Sequence, residues 1–315
     1  MFADILLIFV CRYFDHKGGA GLKRRKKIDL FELFNGFGMA VLCFIIIYPL
    51  WFCLVFSLND GNDTAVNGIL YWWPRVFTLT NYQVLFQNNA ISTAFFISIL
   101  RTLVGTCLHL FLTSMVAYAF TKKELPFRNF GLTLGTISLF FGGGLIPTYL
   151  WYRNINLLDT FWVLILPMAF NFYNALIFMG FFRNLPDSIE ESAYIDGAHE
   201  FTIFIKLILP LSTPVIATIA IFNGVAHWND YFSGFIFIRR NDFLVPIQTF
   251  LYQMVATNEA YSKIPELSRP ASQVRVTPDS VRVATMLVTT APIMVVYPFL
   301  QKYFTKGVML GAIKG

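Results

Sequence analysis

Charge is scarce in this chain of 315 residues. Asp, Glu, Lys and Arg make up 13% of it against 56% hydrophobic residues, and the mean hydropathy is +0.60. A soluble domain carries roughly 25% charged residues, so that class is excluded and lipid is the expected solvent. Cysteine is scarce too. Cys11, Cys43, Cys53 and Cys107 show no C-x-x-C spacing, and none sits in a large hydrophilic loop. A disulfide framework is excluded and no metal site is expected; the four read as small apolar side chains in or near helices. No Gly-rich loop ends in G-K-[ST], so the chain has no phosphate-cradling loop of its own. No segment alternates in the manner of a membrane β-strand. No internal repeat stands out, which counts against carriers built from repeated halves. A secretory signal is not expected either, because positive charge follows the short apolar run Ile5–Val10 at Arg12, Lys17 and Lys23–Lys27 instead of preceding it. That run reads as a membrane-surface helix.

What the chain does have is long apolar runs rich in Phe, of which there are 35. A membrane-crossing helix needs about 20 mainly apolar residues. Six stretches qualify, near 34–57, 91–120, 129–151, 159–182, 205–236 and 282–304. The net charge of +6 would by itself suit nucleic acid or an anionic membrane. Its cations gather in the short connections, so the membrane reading holds and no nucleic-acid partner is expected. With the N-terminus inside, the inner segments hold 15 Lys and Arg and the outer ones 7, which sets both termini in the cytoplasm. The organisation expected is an N-terminal segment 1–33, a six-helix domain 34–304 and a C-terminal tail 305–315. Two outer connections are long, about 58–90 and 239–281. The first carries Tyr71, Trp72 and Trp73, which favour the membrane–water boundary, and Pro74. The second carries Pro246, Pro265, Pro270 and Pro278. Loops of this length are more often functional than idle. They read either as a docking surface for an external partner or as passive connectors.

The most informative stretch is Leu185–Pro214, LPDSIEESAYIDGAHEFTIFIKLILPLSTP, expected on the inner side. Ser188 and Glu191 have the S-x-x-E spacing of a capping box, and Asp187, Glu190 and Glu191 put negative charge at a helix start. Ala193 and Gly197 share a face whose small residues leave room for another surface. Gly197 suits a helix end. Phe201, Phe204, Ile205 and Ile208 follow the spacing of a buried stripe. A helix–turn–helix on the inner membrane surface is therefore expected, with a coupling loop at about 186–204. Pattern alone leaves two readings open, a protrusion that transmits force from a partner or an ordinary interfacial amphipathic helix.

This stretch resembles the EAA signature of binding-protein-dependent ABC transporter permeases: E-A-A, three residues, G, nine residues, I-x-L-P. Glu191, Ser192, Ala193, Gly197, Leu207, Leu209 and Pro210 match it, with Ser192 replacing Ala and Leu207 replacing Ile. TLTNYQVLF at 78–86, SLFFGGGLIPTYL at 138–150 and KGVMLGAIKG at 306–315 extend the resemblance to carbohydrate-type permeases related to the maltose system. They resemble in particular a subgroup that imports oligosaccharides from complex polysaccharides, including uronate-containing ones such as alginate fragments. The resemblance implies an all-α integral membrane protein with the six-span type I importer permease fold and a cytoplasmic coupling helix. It implies that Glu191, Ala193 and Gly197 meet a cleft on the ATPase subunit, with Glu190, Asp196 and Ala198 flanking. It implies two ATPase subunits that carry the ATP and Mg, a second and different permease subunit, an external solute-binding protein, a sugar or oligosaccharide as cargo, and the cytoplasmic membrane of a bacterium as the location. The tail residues Gly311, Lys314 and Gly315 resemble tails that reach the ATPase interface; the alternative is a frayed terminus. This chain itself would be no enzyme and would bind no cofactor.

Ionisable groups inside a span are costly and point to function. Arg101 and His109 lie in the second span, His227 and Asp230 late in the fifth. Trp228, Asn229, Asp230 and Tyr231 offer a stacking face, an amide, a carboxylate and a hydroxyl, types that suit a sugar. Two readings of Arg101 and this group stand open: contacts along a translocation pathway, or an Arg101–Asp230 tie between helices. In the maltose relative the sugar is held mainly by the other permease. Arg239, Arg240, Lys263, Arg269 and Arg275 read either as a positive entrance for an anionic oligosaccharide or as scattered solvated charge. Gly142–Gly144 read as a packing contact or a helix break, and Gly131 and Gly135 as a small-residue face. The rival function is a stand-alone secondary carrier, which would want repeated halves and convergent buried carboxylates; Asp230 is the one acidic residue expected inside a span.

Overall fold

The computed structural model describes residues 30–68, 72–257 and 276–312. The described residues are helical apart from loops and one isolated antiparallel bridge between Asn59 and Phe77. The helices are α1 (Leu30–Ser57), α2 (Gly61–Asn67), α3 (Thr80–Gln87), α4 (Asn89–Thr121), α5 (Arg128–Phe140), α6 (Leu145–Asn154), α7 (Phe172–Phe182), α8 (Asp187–Ile195), α9 (Glu200–Leu211), α10 (Thr213–Asn229), α11 (Phe232–Phe237), α12 (Ile247–Tyr252) and α13 (Pro278–Ala312).

Three of the six expected spans are single helices: Phe34–Ser57, Asn89–Thr121 and Pro278–Val296. The other three are bent pairs, and each bend has a local cause. Arg128–Phe140 and Leu145–Asn154 meet at 116°. Gly142–Gly144 form this break, Gly144 lies at φ +77°, and only glycine enters that region without strain. Phe161–Met168 and Phe172–Phe182 meet at 50°. Here the Asn171 side chain accepts from the N–H groups of Tyr173 and Asn174 and starts a fresh helix. Glu200–Leu211 and Thr213–Asn229 meet at 82°. Pro214 sits in the first turn of the new helix, where its missing N–H costs nothing.

The chain divides into two compact units, Met1–Asn88 with Tyr261–Tyr297, and Asn89–Ala260 with Pro298–Gly315. In the first unit, Asn81 donates to the carbonyls of Ser57 (2.8 Å) and Asn59 (3.0 Å), and the Ser57 hydroxyl pairs with that of Tyr82. These bonds fasten α3 to the end of α1. Trp51 and Trp73 meet edge-on at 5.5 Å, and Trp72 stands beside Tyr48 at 5.5 Å. The aromatic cluster is thus built around α1, and Tyr71 lies outside the described residues.

In the second unit α4 is the central rod, packed on α10 and α7. Its buried residues, from Ile91 through Arg101, Gly105 and His109 to Tyr118, recur every three or four positions and so share one face. Gly131 lies against Phe120 and Gly135 against Phe172, so the expected small-residue face receives aromatic rings of its own chain. The core here joins Tyr118, Phe178, Phe182, Ile203, Phe204, Ile208 and Ile219. The expected stripe of α9 is half right: Phe204 and Ile208 are buried, whereas Phe201 and Ile205 are exposed. A π-helical turn over Phe204–Ile208 shifts Ile205 off the 3.6-residue register; it begins after Phe201 and does not account for that residue.

Candidate functional site

The segment between α7 and α9 folds as a tight elbow. Pro186 is extended (φ −63°, ψ 128°) and α8 starts directly after it. Asp187 and Glu190 occupy the first turn, where the helix dipole favours negative charge. The expected capping box is not formed: Ser188 lies inside the helix, and α8 has no side-chain cap. Pro186 takes the cap position because its fixed φ suits the approach to a helix, leaving Ser188 two residues too far in.

α8 ends in a Schellman turn. Gly197 at φ +77° donates its N–H to Tyr194 O (3.0 Å), and Ala198 donates to Ala193 O (2.9 Å), the paired closing bonds of that motif. Glu191, Asp196 and Gly197 are exposed, and a side chain at Gly197 would meet nothing within 4 Å. Ile195 is 87% exposed and extends this bare face with an apolar side chain that the motif reading did not single out. Ala193 departs from expectation. It was expected on an open face, but it is buried in the core, where its small side chain lets α8 approach the body of its own chain. Ala198 is half-buried against the same core.

Beside the elbow lies a polar cluster that the sequence reading did not single out. Lys122, one residue past the end of α4, pairs with Glu190 of α8 and lies 3.4 Å from Glu200 Oε2 at the start of α9. Its ammonium donates to Tyr194 Oη (3.0 Å) and sits 4.6 Å from the centre of the Tyr118 ring. Tyr118 in turn donates to Glu200 Oε2 (3.0 Å), and Tyr194 donates to the other Glu200 oxygen. Burial works against the Lys122 charge, yet the hydrogen bonds to Glu190 and the two tyrosines outweigh it and raise its pKa. Burial and then the bond to Glu200 raise the Tyr194 phenol. The sequence signal was available: Tyr118 and Lys122 are four apart at the end of a span, on one helix face.

In the first half of α4 the structure brings Arg101 and Asp230 together. Arg101 is fully buried. Its Nε donates to Leu164 O (3.0 Å) and Nη1 to Asp230 O (2.9 Å), while Nη2 pairs with the Asp230 carboxylate. The guanidinium is thereby committed to a tie between helices. Trp228 is buried as well, 6.3 Å from Phe95 ring to ring. Asn229 and Tyr231 are exposed, and Tyr231 stacks on Tyr252 at 4.6 Å. Of the expected pathway group, only those two present themselves openly, with Asp230 partly so.

Midway along α4, His109 Nδ1 faces Met168 O (2.9 Å) and Nε2 faces the Asn174 amide (2.9 Å). A carbonyl can only accept, so these partners assign the proton to Nδ1. His227 is buried against Gly105: a Cβ there would stand 2.5 Å from its Nε2.

Two loop clasps complete the picture. In the second unit Asp159 accepts the backbone N–H groups of Arg239 (2.6 Å) and Arg240 (2.8 Å). Burial alone would raise this carboxyl, but those two N–H groups and the Arg240 charge hold it below the usual range. Arg239 and Arg240 are exposed; Lys263, Arg269 and Arg275 lie outside the described residues. In the first unit Asp63 bonds Asn59, Arg75 and Asn67 at 2.7–2.9 Å. The last helix continues to Ala312, so Gly311 sits on a helix and not on an extended tail; Lys314 and Gly315 lie outside the described residues.

Comparison with known proteins agrees with this architecture. Residues 20–310 match the family described as binding-protein-dependent transport system inner membrane component. The chain therefore belongs to that family, the membrane-spanning permeases of importers that work with a separate solute-binding protein. It is 38% identical over 242 residues to the polygalacturonan/rhamnogalacturonan transport system permease protein YtcP of Bacillus subtilis, covering 77% of this chain and 84% of that one. It is 38% identical over 272 residues to protein LplC of the same organism, covering 86% and 90%. The arabinooligosaccharides transport system permease protein AraQ of Halalkalibacterium halodurans is 28% identical over 93% of this chain and 100% of its own length. The fold matches a chain in the crystal structure of a bacterial ABC transporter involved in the import of the acidic polysaccharide alginate. The TM-score is 0.80 at 24% identity, over 90% of this chain and 100% of that one.

Proposed function

We propose that this chain forms half of the pathway of an ATP-driven importer for an anionic oligosaccharide, and that α8 with its Gly197 turn is the surface gripped by the ATPase. The observation that carries the reading is the form of the elbow. Glu191, Ile195, Asp196 and Gly197 are bare, on a helix whose opposite side is locked into the core through Ala193. Ile195 adds an apolar side chain beside the open Gly197 turn, and a docking cleft would cover the two together. A second, different permease subunit completes the pathway, two ATPase subunits hold the ATP and Mg, and an external binding protein delivers the cargo. Both termini then lie in the cytoplasm, on the side of Lys122 and α8, and the Arg239–Arg240 loop faces outward. Oligouronates suit the names of the relatives, which include transporters of polygalacturonan and rhamnogalacturonan, and the outward loop offers them positive charge.

The test is reconstitution in proteoliposomes with the second permease, the binding protein and oligogalacturonate. Uptake is expected only when the ATPase and Mg-ATP are present. Uptake of the same sugar without the ATPase would refute the proposal.

A further inference from the structure

Three helix ends converge on one side chain. α4 ends at Thr121, α8 begins at Asp187 and α9 begins at Glu200. Helix C-termini attract cations and N-termini attract carboxylates. Lys122 stands at the first, Glu190 in the opening turn of the second, and Glu200 opens the third. One ammonium, about three-quarters shielded from solvent, touches both carboxylates and both tyrosines of the cluster. Without it, Glu190 and the tyrosine-bonded Glu200 would stand close with no cation between them, and like charges at that range repel. Ala193 and the two chain connections hold α8 close to the body, but a methyl group does not fix the angle of a helix. The directional bonds of Lys122 do.

We infer that Lys122 is a positioning residue: it locks α8 to the end of α4 at a fixed angle, so that a push on the elbow moves α4 and is not lost in rotation of α8. The inference rests on the reading of α8 as the docking surface. Its predicted consequence concerns coupling, meaning sugar moved per ATP hydrolysed, and not assembly. The ammonium stays charged throughout the physiological range because its pKa is raised, so the lock does not depend on pH there.

The experiment uses the full transporter in proteoliposomes. Lys122→Met should leave the ATPase co-purifying while uptake per ATP falls roughly tenfold, within the span that mutations along a coupling route produce. Lys122→Arg keeps the charge and should recover most of the ratio; Lys122→Gln should not. The exchange Lys122→Glu with Glu190→Lys restores opposite charges across the same junction and should recover more than either change alone. Should Lys122→Met fail to assemble, the exchange pair decides: no recovery overturns the inference. An unchanged ratio in Lys122→Met also overturns it. A separate arm tests the reading beneath. Glu191→Cys, with the four native cysteines changed to Ser, should cross-link to the ATPase through a thiol–amine reagent. No cross-link sinks the docking reading itself. A cross-link with normal coupling in Lys122→Met sinks only the role given to Lys122.

Discussion

Replacing Arg101 by Met tests whether this buried cation is structural. Met matches the length of the Arg stem and fills most of its space, so packing loss is small. What disappears is electrostatic. The Asp230 carboxylate loses its cation, and the carbonyls of Leu164 and Asp230 lose their donors at 3.0 and 2.9 Å. Leu164 is 1% exposed, so water does not readily replace the donor to its carbonyl. Removing one partner from a buried ion pair costs about 3–5 kcal/mol, a large share of a stability that is typically about 5–15 kcal/mol. Arg101→Met should therefore unfold well below the wild type in detergent and accumulate several-fold less in membranes.

The double-mutant cycle sharpens the test. Asp230→Leu alone strands a fully buried guanidinium and should cost a similar amount. Arg101→Met with Asp230→Leu removes both charges together. It should be less destabilised than the sum of the singles by about 2–3 kcal/mol, the upper range for contacting residues. The assay is reversible denaturant unfolding followed by Trp fluorescence. If Arg101→Met unfolds like the wild type yet abolishes uptake, the tie between helices is the wrong account and Arg101 returns to the pathway.

Gly105→Ala would place a Cβ 2.5 Å from the buried ring of His227. Overpacking of this kind costs about 1–3 kcal/mol, and His227→Ala in the same chain should recover most of it in a melting experiment. Asn at position 197 tolerates the left-handed conformation and finds free space. Gly197→Asn should therefore insert and melt normally but lose ATPase-driven uptake; normal uptake would remove Gly197 from the docking surface. Asp63 is lowered from 3.8 to about 2 by its bond from Asn59, then by Arg75 and Asn67. A depressed folded pKa stabilises above the unfolded value of 3.8 and loses that contribution as pH falls through about 2. Hydrogen exchange over Asn59–Asn67 should thus be faster in Asp63→Asn than in the wild type at pH 7, and the two should converge near the folded pKa.

The all-helical membrane architecture and the elbow were legible because each has a strong one-dimensional signal. Apolar runs of sufficient length announce spans, and Gly197 followed by the Leu207–Pro210 pattern announces a turn between two helices. The breaks were less legible. A hydropathy window averages through Gly142–Gly144 and Ser212, although the glycine run read as a possible helix break and Pro214 was already visible. The exposure of Ile205 in the α9 stripe has a physical origin, since a π turn over Phe204–Ile208 alters the period on which the stripe was counted. Ala193 was placed on the open side because spacing shows which residues share a face, but not which way the face points. Lys122, Glu190 and Glu200 were all visible as charges. Their union needs three segments separated by 68 and 10 residues along the chain, and only tertiary structure supplies it.

The polar groups of the second unit are not scattered; they sit at stations along one helix. Arg101 ties α4 to Asp230, His109 ties it to α7 through Asn174 and to the Met168 carbonyl, and Lys122 ties its end to α8 and α9. From Arg101 to Lys122 is about 31 Å of helix at 1.5 Å per residue, close to the thickness of a bilayer's hydrocarbon core. Between those stations α4 runs unbroken, whereas the spans on either side of the Gly142–Gly144 and Ser212 breaks bend by 116° and 82°. A hydrogen-bonded helix packed at interior density transmits displacement instead of absorbing it. The buried Arg101 tie is costly to break, so the stretch of α4 between Arg101 and Lys122 moves with whatever those two stations hold. The bent spans can then change angle at their breaks while α4 keeps its length. On this argument the elbow and the Asp230 group, though about a membrane's thickness apart, are two ends of one lever.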